Sequence, residues 1–320
     1  HFRNRLFLEE LQVVAGAAAR RGITLMPLKG ALLAPEYYEH PAWRPLSDVD
    51  LLVHPKDIEP FAALLRDLGY HDTGSSPSYV DAEWLDLSSQ DYGYFAGRVG
   101  FDSYIEFRVA PLELAVARLT DLDADYTRAL RDQARDVWTR ATASPDGGLL
   151  RQSPEDLLLH VTTHLAAKHL HFRLIWLRDV ALITRRPLDW AYVAHQATRL
   201  RMAAPILAAL EAATQYAAAD IADAALAQLQ ATLGPASALS LVHRDLAHLR
   251  QHVASLPGRD LSLDGPWGWP LMAALSRVRG WPARLRILRW VVLPGREYLA
   301  HRGTTSGGVL GSLKRLVRRG

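Results

Sequence analysis

The chain has 320 residues, 49% hydrophobic and 22% charged, the balance of a protein that folds around its own core and is long enough for two domains. It has no cysteine, which excludes disulfides, thiolate metal sites and a cysteine nucleophile, and no apolar run approaches the ~20 residues of a membrane-spanning helix. The net charge of +3 hides an asymmetry, because residues 277–319 carry eleven Lys/Arg against one acid, Glu297, a local +10 that leaves −7 for the rest.

In chain order, Leu6, Leu11, Val14, Ala15 and Ala18 recur at helical spacing until Arg20-Arg21-Gly22 ends the element. A buried strand from Leu25 follows, turns at Lys29-Gly30 and opens a short helix over 31–38. Residues 46–53 are an apolar, β-branched strand that places Asp48 and Asp50 on one face, since side chains two apart in a strand point the same way. An amphipathic helix spans 55–68 and ends at Gly69, the tract 70–90 is polar and poorly patterned, and 92–101 and 103–109 alternate as an antiparallel pair turning near Gly100.

Turn residues accumulate over 143–148 and mark the strongest break, dividing a first domain, 1–145, from a second, 146–320. Ser153-Pro154-Glu155-Asp156 combines a Ser cap, a first-turn Pro and first-turn acids, and Ala/Leu-rich helices are expected at 154–171, 173–185, 189–200, 203–218 and 220–233. Gly303 to Gly311 reads as a linker before a short basic helix. The expected fold class is α+β, a small mixed sheet with helices on it followed by an all-helical domain.

Asp48 and Asp50 have the spacing of a divalent-metal clamp, set beside a strand that ends in Lys29-Gly30 and four residues after Arg44. Backbone N–H groups at such a strand-to-helix turn can face phosphate, Gly30 permits close approach and Lys29 adds a point charge. Arg44 offers bidentate contacts to phosphate oxygens, its alternative being a structural pair with Asp48 or Asp50. The bland readings are exposed strand-edge acids and a solvated loop lysine. In the second half His160, His164 and Lys168 stand four apart, so that His164 and Lys168 would stack on a base or meet phosphate, or else form a structural face toward Trp176. No acid lies between the histidines for a zinc protease site. Trp176, Leu177 and Val180 read as core, and Arg178 with Asp179 as a surface ion pair.

The run Leu28-Lys29-Gly30-Ala31, then Tyr37, Arg44 and Ser47-Asp48-Val49-Asp50-Leu51-Leu52-Val53, closing with Leu64-Leu65 and Gly69-Tyr70, resembles the uncharacterised nucleotidyltransferase family of the DNA polymerase β-type superfamily. The likeness continues more weakly through Ile105-Glu106-Phe107 and Trp176-Leu177-Arg178-Asp179-Val180. It implies Glu106 as a third acid on a neighbouring strand, whose alternative is a cross-strand pair with Arg98 or Arg108. Asp48, Asp50 and Glu106 would then hold Mg2+ or Mn2+, hard cations suited to carboxylate oxygen, with Glu106 also orienting or deprotonating an acceptor hydroxyl. Lys29, Gly30, Arg44 and Ser47 would hold the nucleotide. Two departures stand out: Lys29-Gly30 replaces the superfamily's Gly-Ser, as in this family, and Arg108 stands where His is expected, on the acceptor side.

The implied activity moves an NMP from an NTP such as ATP to a hydroxyl or phosphate of a small molecule or peptide, in the manner of natural-product or peptide-modifying pathways. The alternatives are a non-catalytic nucleotide- or nucleic-acid-binding module and a phosphotransferase built on the same acids. Residues 277–319 are the segment through which nucleic acid would bind, although Arg277, Arg279, Arg284, Arg286 and Arg289 alternate with Trp281, Leu285, Leu288 and Trp290 as a solvated helix face does. No secretory signal is visible in a chain that starts at His1, and the expected location is cytoplasmic.

Overall fold

The computed structural model describes residues 2–72, 92–96, 103–112, 124–144, 148–168, 173–234, 241–254 and 275–292. Helix α1 (Phe2–Arg20) buries Phe7, Leu11, Val14 and Ala18 along one stripe, and Gly22, in the left-handed region at φ +70°, turns the chain into β1 (Leu25–Pro27). The next helix, α2 (Lys29–Glu36), starts two residues before the spacing predicts. Strand β2 (Val49–Val53) starts three residues later than expected, so Asp48 leads into it and Asp50 lies within it. A 3₁₀ turn at Pro55–Asp57 opens α3 (Ile58–Asp67), after which come β3 (His71–Asp72), β4 (Tyr92–Ala96) and β5 (Ser103–Arg108).

These strands form one mixed sheet in the order β1-β2-β5-β4-β3, with β2 and β5 parallel and the other pairs antiparallel. Strand alternation decides what each face carries. Val49, Leu51 and Val53 join Ile105 and Phe107 in a core with Phe7, Leu11, Phe61 and Leu65 of α1 and α3. Met26, Leu28 and Leu52 face the other way, onto Val137 of α4 (Ala124–Arg140), where Trp138 also stacks on His54 with ring centroids 3.8 Å apart.

The turn-rich stretch read as a domain break is flanked by a two-stranded ribbon, β6 (Thr142–Ala143) with β7 (Leu150–Arg151), and Leu149 bridges to Leu25 of β1. Helix α5 (Pro154–Thr163) begins as its sequence predicts, with the Ser153 hydroxyl accepting from the Asp156 N–H at 3.2 Å, and passes into a π-helical turn over His164–Lys168. Then follow α6 (Leu174–Ile183), α7 (Trp190–Arg199), α8 (Ala203–Ala217), α9 (Asp223–Thr232), α10 (Leu241–Ala254) and α11 (Trp281–Val292). Helix α8 is buried along most of its length, as an Ala/Leu helix without a polar face must be, and packs against α6 and α10.

Leu32, Leu33 and Tyr38 of the first half belong to the same apolar cluster as Leu157, Val180 and Ile206 of the second. The basic end departs from its reading as a solvated face at Arg277, which is buried and whose carbonyl accepts from Arg201 Nη1 at 2.6 Å, while Trp281 and Leu285 are exposed. The tract 73–91, Arg98, the turn at Gly100, His169 and His171, and the Gly303–Gly311 linker with the basic segment after it lie outside the described residues. No helix among the described residues is long and apolar enough to cross a membrane.

Because Leu33 joins the two halves through one cluster, Leu33→Ala is expected to cost about 2–5 kcal/mol, the range for a buried leucine whose cavity closes only in part. Urea denaturation followed by both tryptophan fluorescence and far-UV circular dichroism should show one shifted transition. Two separated transitions would show that the halves melt independently.

Candidate active site

The alternation that sends Val49, Leu51 and Phe107 into the α1/α3 core turns Asp50, Glu106 and Arg108 to the opposite face. The parallel register sets Asp50 beside Glu106 and Leu52 beside Arg108, so two acids and a cation meet on adjacent strands. Arg108 is fully buried, and its Nη2 donates to Asp50 Oδ1 at 2.8 Å and to Glu106 Oε2 at 3.2 Å. The alternative weighed for Glu106, a pair with Arg108, is thus formed. It occupies one edge of each carboxylate and leaves Glu106 lining the cleft.

The other cation comes from the β1–α2 turn. Lys29 adopts φ +44°, a left-handed conformation that costs an L-residue about 1–2 kcal/mol, and its Nζ lies 2.9 Å from Asp50 Oδ2. Leu28 N–H donates to the Asp50 carbonyl at 2.9 Å, tying the same turn to β2 through the backbone. Burial alone would raise the Asp50 carboxyl, yet Lys29 and Arg108 hold it well below the usual carboxylate range. Asp48 shifts the other way, raised by burial and by the charge of Asp50, against partial relief from Lys29 and from the Ser47 hydroxyl, which donates to its Oδ1 at 3.0 Å. Two acids two residues apart therefore differ in kind, one neutralised and one not.

A cleft of about 630 Å³ opens over this cluster, and Lys29, Gly30, Arg44, Ser47, Asp48, Asp50, Glu106 and His164 all line it. Gly30 sits close beneath its neighbours, since a Cβ there would come 2.8 Å from the end of the Leu46 side chain and 3.6 Å from Arg44 Nη1. Arg44 pairs with neither Asp48 nor Asp50. Its Nε donates to both oxygens of Asp179, at 2.9 and 3.0 Å, from across the cleft's helical wall. Asp179 is consequently buried and not a surface partner of Arg178, which is itself exposed.

His164 is buried against Trp176, edge to face with ring centroids 5.2 Å apart, and Trp176 is a half-buried cleft residue and not core. His160, four residues earlier, is enclosed, its Nδ1 3.4 Å from Gln152 Oε1, and burial together with Lys29 and Arg108 keeps its imidazole neutral. Lys168 lies in the π-helical turn, and its side chain falls outside the described residues.

The sequence reading missed Asp179 as the partner of Arg44, Tyr38 as a donor to that Asp179, and Asn4, whose Nδ2 donates to the Pro41 and Arg44 carbonyls at 2.7 and 2.8 Å. A signal for Asp179 was available: α6 is apolar on nearly all sides, so an acid within it needs a buried partner. Nothing local marks Asn4.

Among the described residues no three acids, histidines or cysteines stand close enough together to hold a metal ion. Carboxylate oxygen is the donor that Mg2+ or Mn2+ takes, and Asp48, Asp50 and Glu106 line one cleft, but the three would have to draw closer to share an ion. Lys29 and Arg108 supply the positive charge beside Asp50.

A family model described as an uncharacterised nucleotidyltransferase matches residues 1–218, which spans the sheet, the cleft and the helices through α8. Neither a curated protein nor a solved structure matches the chain significantly.

The two acids should respond oppositely to neutralisation. A depressed carboxyl contributes stability that is complete above its unfolded pKa, about 3.9, and is lost as pH falls toward the folded value, so Asp50→Asn should cost about 3–5 kcal/mol at pH 7 by removing the anion that Lys29 and the buried Arg108 share. A raised carboxyl contributes below its unfolded pKa and loses that contribution as pH rises through the folded value, so Asp48→Asn should raise the melting temperature at pH 7. Thermal unfolding of both variants checks the pair, and shifts of the same sign would refute it.

Proposed function

The chain belongs to the uncharacterised nucleotidyltransferase family, and we propose that it is a Mg2+-dependent enzyme moving an NMP from an NTP to a hydroxyl or phosphate of a small molecule or peptide. The observation that carries this reading is the convergence of Asp48, Asp50 and Glu106 on one cleft whose walls also hold Lys29 and Arg44. Cytoplasmic ATP is the proposed donor, with residues 1–145 as the catalytic part and 146–320 as the helical part that receives the acceptor.

In the transfer, an acceptor oxygen bonds to the α-phosphorus, the bond to the pyrophosphate oxygen breaks, and the acceptor proton leaves. Mg2+ held by Asp48, Asp50 and Glu106 would supply charge neutralisation on the phosphate oxygens. Asp50 is already ionised at any physiological pH, because Lys29 and Arg108 stabilise its anion. Lys29, on its turn at the cleft floor, can exchange Asp50 for a phosphate oxygen of the bound nucleotide without leaving the cleft. Arg44, whose guanidinium lies over Gly30 beside Lys29, donates to the β or γ phosphate. Glu106 accepts the acceptor proton, and its contact with Arg108 fixes the carboxylate's orientation. His164 and Trp176 form an aromatic wall against which a base can stack.

The test incubates the protein with ATP, Mg2+ and a panel of hydroxyl- and phosphate-bearing acceptors, and follows acceptor mass. A nucleotidyl increment supports the reading, whereas a phosphoryl increment turns it into phosphotransfer. Asp48→Asn, which is expected to fold as well as the parent, should lower turnover by more than about a hundredfold, since a metal ligand contributes several kcal/mol to the transition state. Retention of more than about a tenth of the parent rate would overturn the assignment.

A further inference from the structure

Resting on the nucleotidyl-transfer reading, we propose that the helical half takes part in nucleotide binding through Asp179, a positioning residue that, with Tyr38, sets the guanidinium of Arg44 for the NTP phosphates. The assignment begins with how completely Arg44 is held. Its backbone is pinned by Asn4, which donates to the Arg44 carbonyl at 2.8 Å and accepts from the Leu46 N–H at 3.0 Å. Its Nε spans both oxygens of Asp179, and its Nη1 donates to the Pro45 carbonyl at 2.8 Å. Among the described residues no protein acceptor is bonded to Nη2, so one edge of the guanidinium remains for a ligand in the cleft that Arg44 lines.

Asp179 is itself held from a second side. It is 1% exposed on α6, 135 residues from Arg44 in sequence, and it accepts a further bond from the Tyr38 hydroxyl at 2.7 Å. Tyr38 is only 9% exposed, and burial with the adjacent carboxylate pushes its phenol far above the usual range, so it acts as a donor at every working pH. Burial raises the Asp179 carboxyl as well, and Arg44 and Tyr38 counter it. The three groups hold one another in a single arrangement, in which rotation of the guanidinium breaks at least two charge-assisted bonds. An arginine oriented before its ligand arrives loses less freedom on binding, which strengthens the bond it then makes. The shape of the turn agrees, because the guanidinium lies over Gly30, with Nη1 3.6 Å from where a Cβ would be, beside Lys29 on the same turn.

The experiment is a double-mutant cycle on the full chain, read as the Kd of a non-hydrolysable ATP analogue with Mg2+ by calorimetry. Asp179→Asn should weaken binding about tenfold or more, Arg44→Lys should weaken it similarly, and the double variant should lie within about twofold of Arg44→Lys alone, because Asp179 acts only through Arg44. Tyr38→Phe, which keeps the ion pair, should give a smaller loss in the same direction. A merely structural role would lower the melting temperature of Asp179→Asn and leave its Kd below that temperature unchanged. Equal, independent losses from Asp179→Asn in both backgrounds would also overturn the proposal. Should Asp179→Asn not fold, Tyr38→Phe alone and with Arg44→Lys complete the cycle by the same criterion. Lys29→Ala separates the two levels: if it weakens binding while Asp179→Asn and Tyr38→Phe do not, the positioning role falls and the functional reading stands. Failure of the parent protein to bind the analogue removes both.

Discussion

The site is organised by a single electrostatic requirement, that the buried carboxylate of Asp50 be balanced from two sides. Removing an ionised carboxylate from water costs several kcal/mol even after relaxation, and β2 lies between β1 and β5 with no residue exposed. The pleat leaves no choice of face, since turning Asp50 toward α1 and α3 would send Val49 and Leu51 out of the core. Cations must therefore come to the carboxylate. Arg108 arrives from the parallel neighbour strand, and Lys29 from a turn whose backbone is forced into the left-handed region to deliver it. The strain at Lys29 and the burial of Arg108 both accompany their pairing with Asp50.

Much of this was legible from local pattern. Helical spacing located α1 and α3, alternation located β4 and β5, and the Ser153 cap with Pro154 fixed the start of α5, because each depends on contacts only a few residues apart. The gathering of Asp48, Asp50 and Glu106 on one cleft was likewise readable from a two-residue period and a resemblance. What escaped were pairings over long sequence separation. Arg44 and Asp179 are 135 residues apart, and neither has a neighbour that announces the other. Arg108 was weighed as a partner of Glu106, but its reach to Asp50, 58 residues away, was not. The left-handed φ of Lys29 could not be read from composition, because that conformation normally selects Gly or Asn.

The two halves meet beside the stretch 143–148. The chain on either side of it folds back as a short ribbon, and Leu149 docks on the sheet edge at Leu25. Apolar packing joins Leu32, Leu33 and Tyr38 to the helices beyond, and the buried Tyr38–Asp179–Arg44 network crosses at the cleft. Apolar packing resists separation without specifying orientation, whereas buried charge-assisted bonds tolerate little rotation. Together they join the wall bearing His164 and Trp176 to the side of the cleft that carries the acids.

Charge balance also ranks the acids. Asp48, Asp50 and Glu106 carry three negative charges against the two positive charges of Lys29 and Arg108, and both cations pair with Asp50. The excess falls on Asp48, whose one hydrogen bond among the described residues is the Ser47 hydroxyl and whose carboxyl is raised by burial and by Asp50. A further cation entering the cleft gains most beside Asp48, where it relieves repulsion without displacing a partner. Near Asp50 it must compete with an ammonium and a guanidinium already in place. On the proposed function, nucleotide phosphates would reverse that competition by offering Lys29 an alternative anion and freeing one edge of Asp50. Cation and nucleotide would then each favour the other's arrival, a reciprocity that follows from two positive groups serving three carboxylates.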